Sequence, residues 1–442
     1  MKIFQRAGAL ALTLALLAGC LSGCAKPEET PPAASSAPIQ APEIELSSVT
    51  DPFLATAGLS ADTVVASAGE VDITAGLLLY WVASRADTLM SYYGAYGGLT
   101  ELPWDTEIEG VTLAQSILSD ALETSLLYAL LPRKAAQEGL SLSADFQTNL
   151  DRSLEQVAES VGGEELLNHY LWQFPLTRQI YTEMCQSEDY NSVMTDARFG
   201  QGQAGYPDDA QIFTFLEEEQ QCYFFKHILF LVEENAPEED SSAAGSSSAP
   251  GDNSAQQKQR AEEVLAQLRA SEDPIALFDQ LMNEYSEDGG LASYPDGYLG
   301  TAGEASAVGT KMVSVVEEAC LSMEEGQISG VLENEQGYRG YHIVLRLPLE
   351  ENVDPEEYRQ AYIADRMNAL QQEWIDEHEI VTNEEYDRID PGAFYTALTQ
   401  LRQAVSDEMA ALEQPDASGS QNSSSGSQNS SSASSGASGS QK

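Results

Sequence analysis

Apolar positions along residues 61–215 recur mostly with helical periodicity, after a short opening of β type. Two β-prone runs within residues 63–73 flank Gly69 and Glu70, which predicts a hairpin. Thr74 is placed to cap the helix that follows. Apolar residues at steps of three to five then predict helices over 112–131, from Ser143 to the glycine pair at 162–163, and over 164–172. We therefore predict a helical domain over residues 61–215.

The pattern becomes mixed over residues 221–347. A β-prone run from Tyr223 to Val232 is interrupted by Lys226 and His227. Residues 233–257 are acidic and rich in Ser, Gly and Pro, which predicts a flexible insert that cannot pack a core. Two segments of helical periodicity follow, then glycine-punctuated segments, then a second β-prone run over residues 340–347.

Three further segments are defined by composition or periodicity. Residues 25–60 are rich in Pro, Ala and Ser and predict a disordered tether. Residues 354–380 carry apolar residues at the spacing of an amphipathic helix, and a turn at Asp390-Pro-Gly is expected to interrupt the weaker helical pattern after it. Residues 414–442 are almost entirely Ser, Gly, Gln, Asn and Ala and predict a disordered tail.

Residues 1–24 have the composition of a cleaved leader. Two basic residues precede an apolar run that is too short to remain as a membrane span. Leu-Ala-Gly-Cys ends at Cys20 and Leu-Ser-Gly-Cys at Cys24, and both resemble the bacterial lipobox, whose cysteine receives a diacylglyceryl group. The small Ala25 follows Cys24 whereas the bulky Leu21 follows Cys20. Cys24 is therefore the predicted lipid attachment site, with Cys20 as the alternative.

Charge and cysteine placement exclude several classes of function. The chain carries 71 acidic and 21 basic residues, a net charge of −50, which would be repelled by a phosphate backbone. We therefore expect no nucleic-acid partner. The three cysteines outside the leader and the four histidines are scattered, without the spacing of a zinc site or a disulfide framework.

Residues 221–347 contain a series of short motifs in a fixed order: His227-Ile-Leu in the first strand, Tyr285-Ser-Glu-Asp, Gly297-Tyr-Leu-Gly, Gly326-Gln-Ile-Ser, and Gly340-Tyr-His-Ile-Val. This ordered set closely resembles the parvulin family of peptidyl-prolyl isomerases. The resemblance implies an α+β fold with a four-stranded antiparallel sheet and surrounding helices. Residues 61–215 resemble the helical chaperone domain of SurA- and PrsA-type foldases. The isomerase domain would be inserted in or follow that domain, and helices of residues 350–405 would return to pack on it.

The same resemblance implies the site. His227 and His342 match a pair of core histidines on neighbouring strands, and Asp288 matches the Asp or Cys that faces the substrate amide. Met312, Val316 and Leu321 match the pocket for the proline ring, although Val316 stands where the family usually has Phe. Isomerisation breaks no σ bond, so no metal and no cofactor are expected; the enzyme has only to favour a twisted amide.

These features together predict a lipid-anchored protein on the outer face of the bacterial cytoplasmic membrane. Its expected activity is peptidyl-prolyl cis/trans isomerisation in the folding of secreted proteins. Its expected partners are unfolded or partly folded secreted polypeptides that contain proline, and the membrane through the lipid. Because of Val316, turnover is expected to be weak. The alternative is a holdase that binds unfolded secreted chains with little or no catalysis.

Overall fold

The computed structural model describes residues 44–98, 100–233, 253–303, 306 and 308–413. The predicted leader with Cys20 and Cys24, the tail from 414 onward and most of the tether and the insert lie outside the described residues. Among the described helices, none has the length and apolar character that crossing a membrane requires.

Strands and helices are interspersed along the described residues. The strands are β1 Val64–Ala68, β2 Val71–Thr74, β3 Glu107–Ile108, β4 Val111–Thr112, β5 Cys222–Leu231, β6 Tyr298–Thr301, β7 Leu332–Asn334, β8 Gly340–Leu347 and β9 Val381–Thr382. The helices are α1 Pro52–Ala57, α2 Ala75–Gly97, α3 Leu113–Gln137, α4 Phe146–Val161, α5 Glu164–Trp172, α6 Arg178–Phe199, α7 Asp209–Thr214, α8 Ser254–Ala270, α9 Pro274–Tyr285, α10 Ser314–Ser322, α11 Leu349–Asn352, α12 Pro355–Asp376 and α13 Pro391–Glu413.

The chain divides into two compact units. Among the described residues, the mixed unit comprises Leu126–Phe146 and Gln186–Ile380, and the helical unit comprises the residues up to Ser125, Gln147–Cys185 and those from Val381 onward. These units divide the chain at other points than the predicted boundaries at 215 and 350, which stay predictions. Helix α12 belongs to the mixed unit, where Arg359 donates to Asp209 on α7 at 2.8 Å; α7 lies within the predicted helical segment 61–215. Only α13 of the predicted C-terminal helices belongs to the helical unit.

The helical unit opens with the predicted hairpin. Strands β1 and β2 pair antiparallel around Gly69, whose φ of +63° suits glycine. Helix α2 then begins after Thr74 as predicted, although the Thr74 side chain makes no capping hydrogen bond. Strand β9 adds to the other edge of β1, which gives the sheet order β2-β1-β9. The helices predicted near 112–131, 143–162 and 164–172 are present as α3, α4 and α5.

The tether prediction is wrong near its C-terminal end. Asp51 accepts hydrogen bonds from the backbone N–H groups of Phe53 and Leu54, and Pro52 occupies the first turn of α1. Phe53 is completely buried. An N-terminal cap, a proline at the first helical position and one aromatic anchor thus order a segment whose average composition resembles a linker.

The Asp390-Pro-Gly sequence is also a helix start rather than an interruption. The Asp390 carboxylate accepts from the backbone N–H of Ala393 at 3.0 Å, and Pro391 is the first residue of α13. Proline is tolerated there because its missing N–H would have no partner in the helix anyway. Helix α13 continues to Glu413, beyond the predicted end at 405.

The mixed unit contains the predicted four-stranded antiparallel sheet, in the order β6-β5-β8-β7. Alternate residues of β5 face opposite sides, so Phe224, Ile228 and Phe230 pack with helices α8 and α9 in the larger core. Tyr223 and Phe225 face the other side, where they pack with residues of α10 in a smaller cluster. The α+β prediction is confirmed.

The predicted insert is wrong at its C-terminal end, since α8 begins at Ser254. Gln257 is buried, and its Nε2 donates to the carbonyl of Leu231 at 2.7 Å. The backbone N–H of Glu233 donates to Oδ1 of Asn253 at 2.8 Å, so the two flanks of residues 234–252 are held together. The first residues of α8 are polar, and their composition resembles that of the loop before the helix. Composition alone therefore placed the start of the helix too late.

Candidate functional site

Two histidines lie next to each other on the central strands of the mixed unit. In the antiparallel pairing of β5 with β8, Leu229 lies opposite His342 and His227 lies opposite Val344. His227 and His342 therefore share one face of the sheet as a diagonal pair. Their Nδ1 atoms are 3.0 Å apart, and their rings are nearly parallel, with an interplanar angle of 12°.

Asp288 is brought to this pair by the loop that follows α9. The loop is fixed to β5 because Glu287 N–H donates to the carbonyl of Leu229 at 2.8 Å and Leu229 N–H donates to the Ser286 hydroxyl at 3.2 Å. Oδ2 of Asp288 lies 3.1 Å from Nε2 of His227. The three residues that the motifs singled out thus form one hydrogen-bonded row.

Two tyrosines extend the row at its ends. The Tyr298 hydroxyl on β6 donates to Oδ2 of Asp288 at 2.5 Å. The Tyr338 hydroxyl, in the turn before β8, lies 2.9 Å from Nε2 of His342. The row therefore reads Tyr338, His342, His227, Asp288, Tyr298, and we call it the polar row.

Residues 227–347 match the family of PPIC-type PPIase domains, also called rotamases. The match begins at the first histidine of the polar row and includes its other four members. Residues 227–347 form a parvulin-type peptidyl-prolyl isomerase domain.

Comparisons over the whole chain are weaker. Similar solved structures include PrsA from Bacillus subtilis, with 16% identity, 69% of this chain and 92% of that chain covered, and a TM-score of 0.21. PrsA from Bacillus cereus has 17% identity, coverages of 71% and 93%, and a TM-score of 0.24. A structure of a SurA-like chaperone from Campylobacter jejuni has 13% identity, coverages of 66% and 89%, and a TM-score of 0.19. A comparison with curated protein sequences finds no match. Identities and TM-scores this low do not transfer a function to the whole chain.

The electrostatics of the isomerase domain favour an ionised Asp288 and a neutral His342. The hydrogen bond with His227 holds the pKa of Asp288 well below its usual range; burial opposes this, and the Tyr298 hydroxyl and the Gly290 N–H reinforce it. Burial, followed by the proximity of His227, lowers the pKa of His342 to about 3. At neutral pH Asp288 is therefore ionised and His342 is neutral.

The ionised carboxylate determines the direction of its own hydrogen bonds. An ionised Asp288 only accepts, so Nε2 of His227 carries a proton and donates to it. Nδ1 of His227 and Nδ1 of His342 lie 3.0 Å apart, so one of the two atoms donates a proton and the other accepts it. The Tyr338 hydroxyl continues the row at Nε2 of His342.

The predicted ring pocket is only partly assembled. Val316 belongs to the smaller cluster with Phe225 and Val344, and Met312 packs against that cluster. Val316 is completely buried, so it presents no surface to a ligand. The side chain of Leu321 is 57% exposed and lies outside the cluster, so its part in the pocket stays a prediction. The preceding residue on α10, Cys320, takes the buried position, since residues one apart on a helix face different directions.

Gly300 of the Gly-x-Leu-Gly motif is required by a close approach rather than by its backbone angles. A Cβ atom at this position would lie 2.4 Å from a ring carbon of the buried Tyr223. The motif thus allows β6 to lie directly against the first residues of β5.

Tyr298 and Tyr338 are site residues that the sequence motifs did not identify. Tyr298 lies inside the Gly-x-Leu-Gly motif, and Tyr338 shortly precedes the motif that contains His342. Both were missed because their hydroxyls acquire partners only in the folded sheet.

Proposed function

We propose that this chain is an extracytoplasmic, lipid-anchored folding factor whose isomerase domain acts on X-Pro bonds of unfolded or partly folded secreted polypeptides. The observation that carries the catalytic part is the hydrogen bond between an ionised Asp288 and His227 within the polar row. The leader sequence supports attachment to the outer face of the bacterial cytoplasmic membrane.

The carboxylate explains how the site accelerates rotation. The planar amide owes its barrier of roughly 18–20 kcal/mol to a resonance form with negative charge on the carbonyl oxygen. A fixed carboxylate beside that oxygen repels its negative charge and therefore disfavours the charge-separated resonance form. The twisted amide no longer has this resonance form, so the carboxylate does not disfavour it. The charge of Asp288 therefore raises the energy of the planar ground state relative to the transition state. His227 holds the carboxylate in place through its hydrogen bond, and His342 contacts His227 on its other side.

Removal of the carboxylate tests this mechanism. Asp288→Ala is expected to lower kcat/KM of the full chain by about tenfold or more, which corresponds to about 1.4 kcal/mol of transition-state stabilisation. Activity is measured by a protease-free assay, such as exchange between cis and trans peptide observed by NMR. Thermal unfolding verifies the fold. Asp296→Ala is the matched control, since Asp296 is an exposed acid in the same loop, and it should retain full activity.

A folded and fully active Asp288→Ala variant would show that the carboxylate has no catalytic role. The second candidate function is a holdase with little turnover, and the complete burial of Val316 together with the exposure of Leu321 favours it. A wild-type chain that binds proline-containing peptides and suppresses aggregation of an unfolded client, yet gives no rate above background, would establish that alternative.

The membrane attachment predicts a modified N-terminus. We expect cleavage before Cys24 and a diacylglyceryl group on its sulfur, because Ala25 follows it and two acyl chains suffice for stable anchoring. Mass spectrometry of the N-terminal peptide from membrane-bound protein measures this directly. Cys24→Ser should release the protein from the membrane, and Cys20→Ser should not. A lipid on Cys20, or an unmodified N-terminus, would contradict the assignment.

A further inference from the structure

Tyr298 is the second hydrogen-bond donor to the aspartate oxygen that also contacts the histidine pair. Its hydroxyl and Nε2 of His227 converge on Oδ2 of Asp288, at 2.5 Å and 3.1 Å. The other oxygen, Oδ1, accepts from the backbone N–H of Gly290, at 3.1 Å. The carboxylate plane is thus fixed by donors from β5, β6 and the loop after α9.

The position of the hydroxyl is set by packing around the tyrosine ring. The ring stacks on Phe225, with centroids 5.7 Å apart and an interplanar angle of 25°, and it contacts the exposed Tyr294 at 4.8 Å between centroids. The His227 ring meets it edge-on at 5.4 Å. Tyr298 itself is only 8% exposed. Because packing fixes the ring, the position of its hydroxyl determines the orientation of the carboxylate.

We propose that Tyr298 is a positioning residue for isomerisation, which holds the Asp288 carboxylate in the orientation from which it acts on the substrate amide. This inference rests on the proposed role of Asp288. Orientation matters because a displacement of about 1 Å in a reacting group can reduce a rate by about a hundredfold. Without the hydroxyl, Oδ2 keeps only the His227 bond and Oδ1 the Gly290 bond, so two donors instead of three fix the orientation of the carboxylate.

The protonation of the site is consistent with this role. The Tyr298 hydroxyl contributes to the low pKa of Asp288, and burial together with the same hydrogen bond raises the pKa of Tyr298 well above its usual range. The other titratable groups facing the carboxylate are His227 on β5, His342 on β8, and Tyr338 in the turn before β8. Loss of the hydroxyl should therefore raise the pKa of Asp288, so its carboxyl should gain a proton at a higher pH.

The test is a double-mutant cycle in the full chain. Tyr298→Phe removes the hydroxyl and keeps the ring stack, so the fold should be retained. We expect kcat to fall about three- to tenfold with KM nearly unchanged, the size expected for the net contribution of one ordinary hydrogen bond. In an Asp288→Ala background the same substitution should change kcat by less than about twofold, because residues that act through one another are not additive. Tyr294→Phe is the matched control and should leave kcat unchanged.

A spectroscopic readout separates orientation from general stability. The carboxyl carbon resonance of Asp288 should titrate at higher pH in Tyr298→Phe than in the wild type, whereas a merely structural role would lower the melting temperature without moving this titration. An equal loss of kcat in both backgrounds, or no loss in either, would overturn the inference. If Asp288→Ala alone is fully active, the proposed mechanism fails instead, so the two failures are distinguishable.

Discussion

Val316→Phe is expected to reduce the free energy of unfolding of the isomerase domain by about 1–3 kcal/mol and to leave turnover unimproved. Val316 is completely buried among Tyr223, Phe225 and Val344. A phenyl ring at this position has no solvent-facing space to enter, so it must displace neighbouring side chains in a close-packed cluster. The family resemblance alone predicts the opposite, namely an aromatic wall that restores contact with the proline ring and raises the rate.

The two expectations are separated by measuring thermal unfolding and kcat/KM on the same variant. Leu321→Phe is the matched control because it enlarges a 57% exposed side chain on the same helix. That substitution should change stability by no more than about 0.5 kcal/mol. If Val316→Phe instead keeps its melting temperature and gains several-fold in kcat/KM, then Val316 borders the substrate and its buried arrangement opens during binding.

The isomerase domain was predictable because its signals are local. His227 lies in a β-prone run and His342 in another, and each motif can be recognised without knowledge of the rest of the fold. The pairing of Leu229 with His342 then brings the two histidines to one face, as the alternation of side chains in strands requires. The loop at Asp288 needed the order of the motifs as well, since nothing in its own composition distinguishes it from other acidic turns.

Other features depend on contacts between residues distant in sequence. The residues of α12 and α13 looked alike as helical segments, yet one helix belongs to the mixed unit and the other to the helical unit. Periodicity identifies an apolar face but not its partner. In the sequence, nothing except its place in the Gly-x-Leu-Gly motif indicates that Tyr298 belongs to the site. Short caps such as that of Asp51 were readable in principle, but the surrounding Pro- and Ser-rich composition outweighed them.

The side chain of Arg402 makes several polar contacts within the helical unit. Its guanidinium makes a bidentate pair with Asp87 of α2, at 2.8 Å and 2.7 Å, and its Nε donates to the carbonyl of Gln173 at 2.6 Å. The Tyr395 hydroxyl donates to the same carboxylate at 2.6 Å. Arg402 thus connects α13 with α2 and with the residue that follows α5.

Arg402→Ala is expected to destabilise the helical unit by about 2 kcal/mol. Removing one partner of a fully buried ion pair lowers the free energy of unfolding by about 3–5 kcal/mol. For an exposed ion pair the decrease is about 0–1 kcal/mol. The side chains of Arg402 and Asp87 are 23% and 42% exposed, which places this pair between the two limits. Arg402→Lys should recover only part of the loss, because an ammonium group cannot reproduce two parallel bonds and a third to the carbonyl.

Urea unfolding followed by tryptophan fluorescence measures this effect mainly in the helical unit, which contains three of the four tryptophans. Arg388→Ala is the matched control. Arg388 pairs with Glu385 three residues away, and the two side chains are 60% and 39% exposed, so its removal should cost less than about 0.5 kcal/mol. If Arg402→Ala is no more destabilising than Arg388→Ala, the guanidinium does not stabilise the packing of α13, and the apolar contacts of that helix, such as those of the buried Phe394 and Leu401, are sufficient.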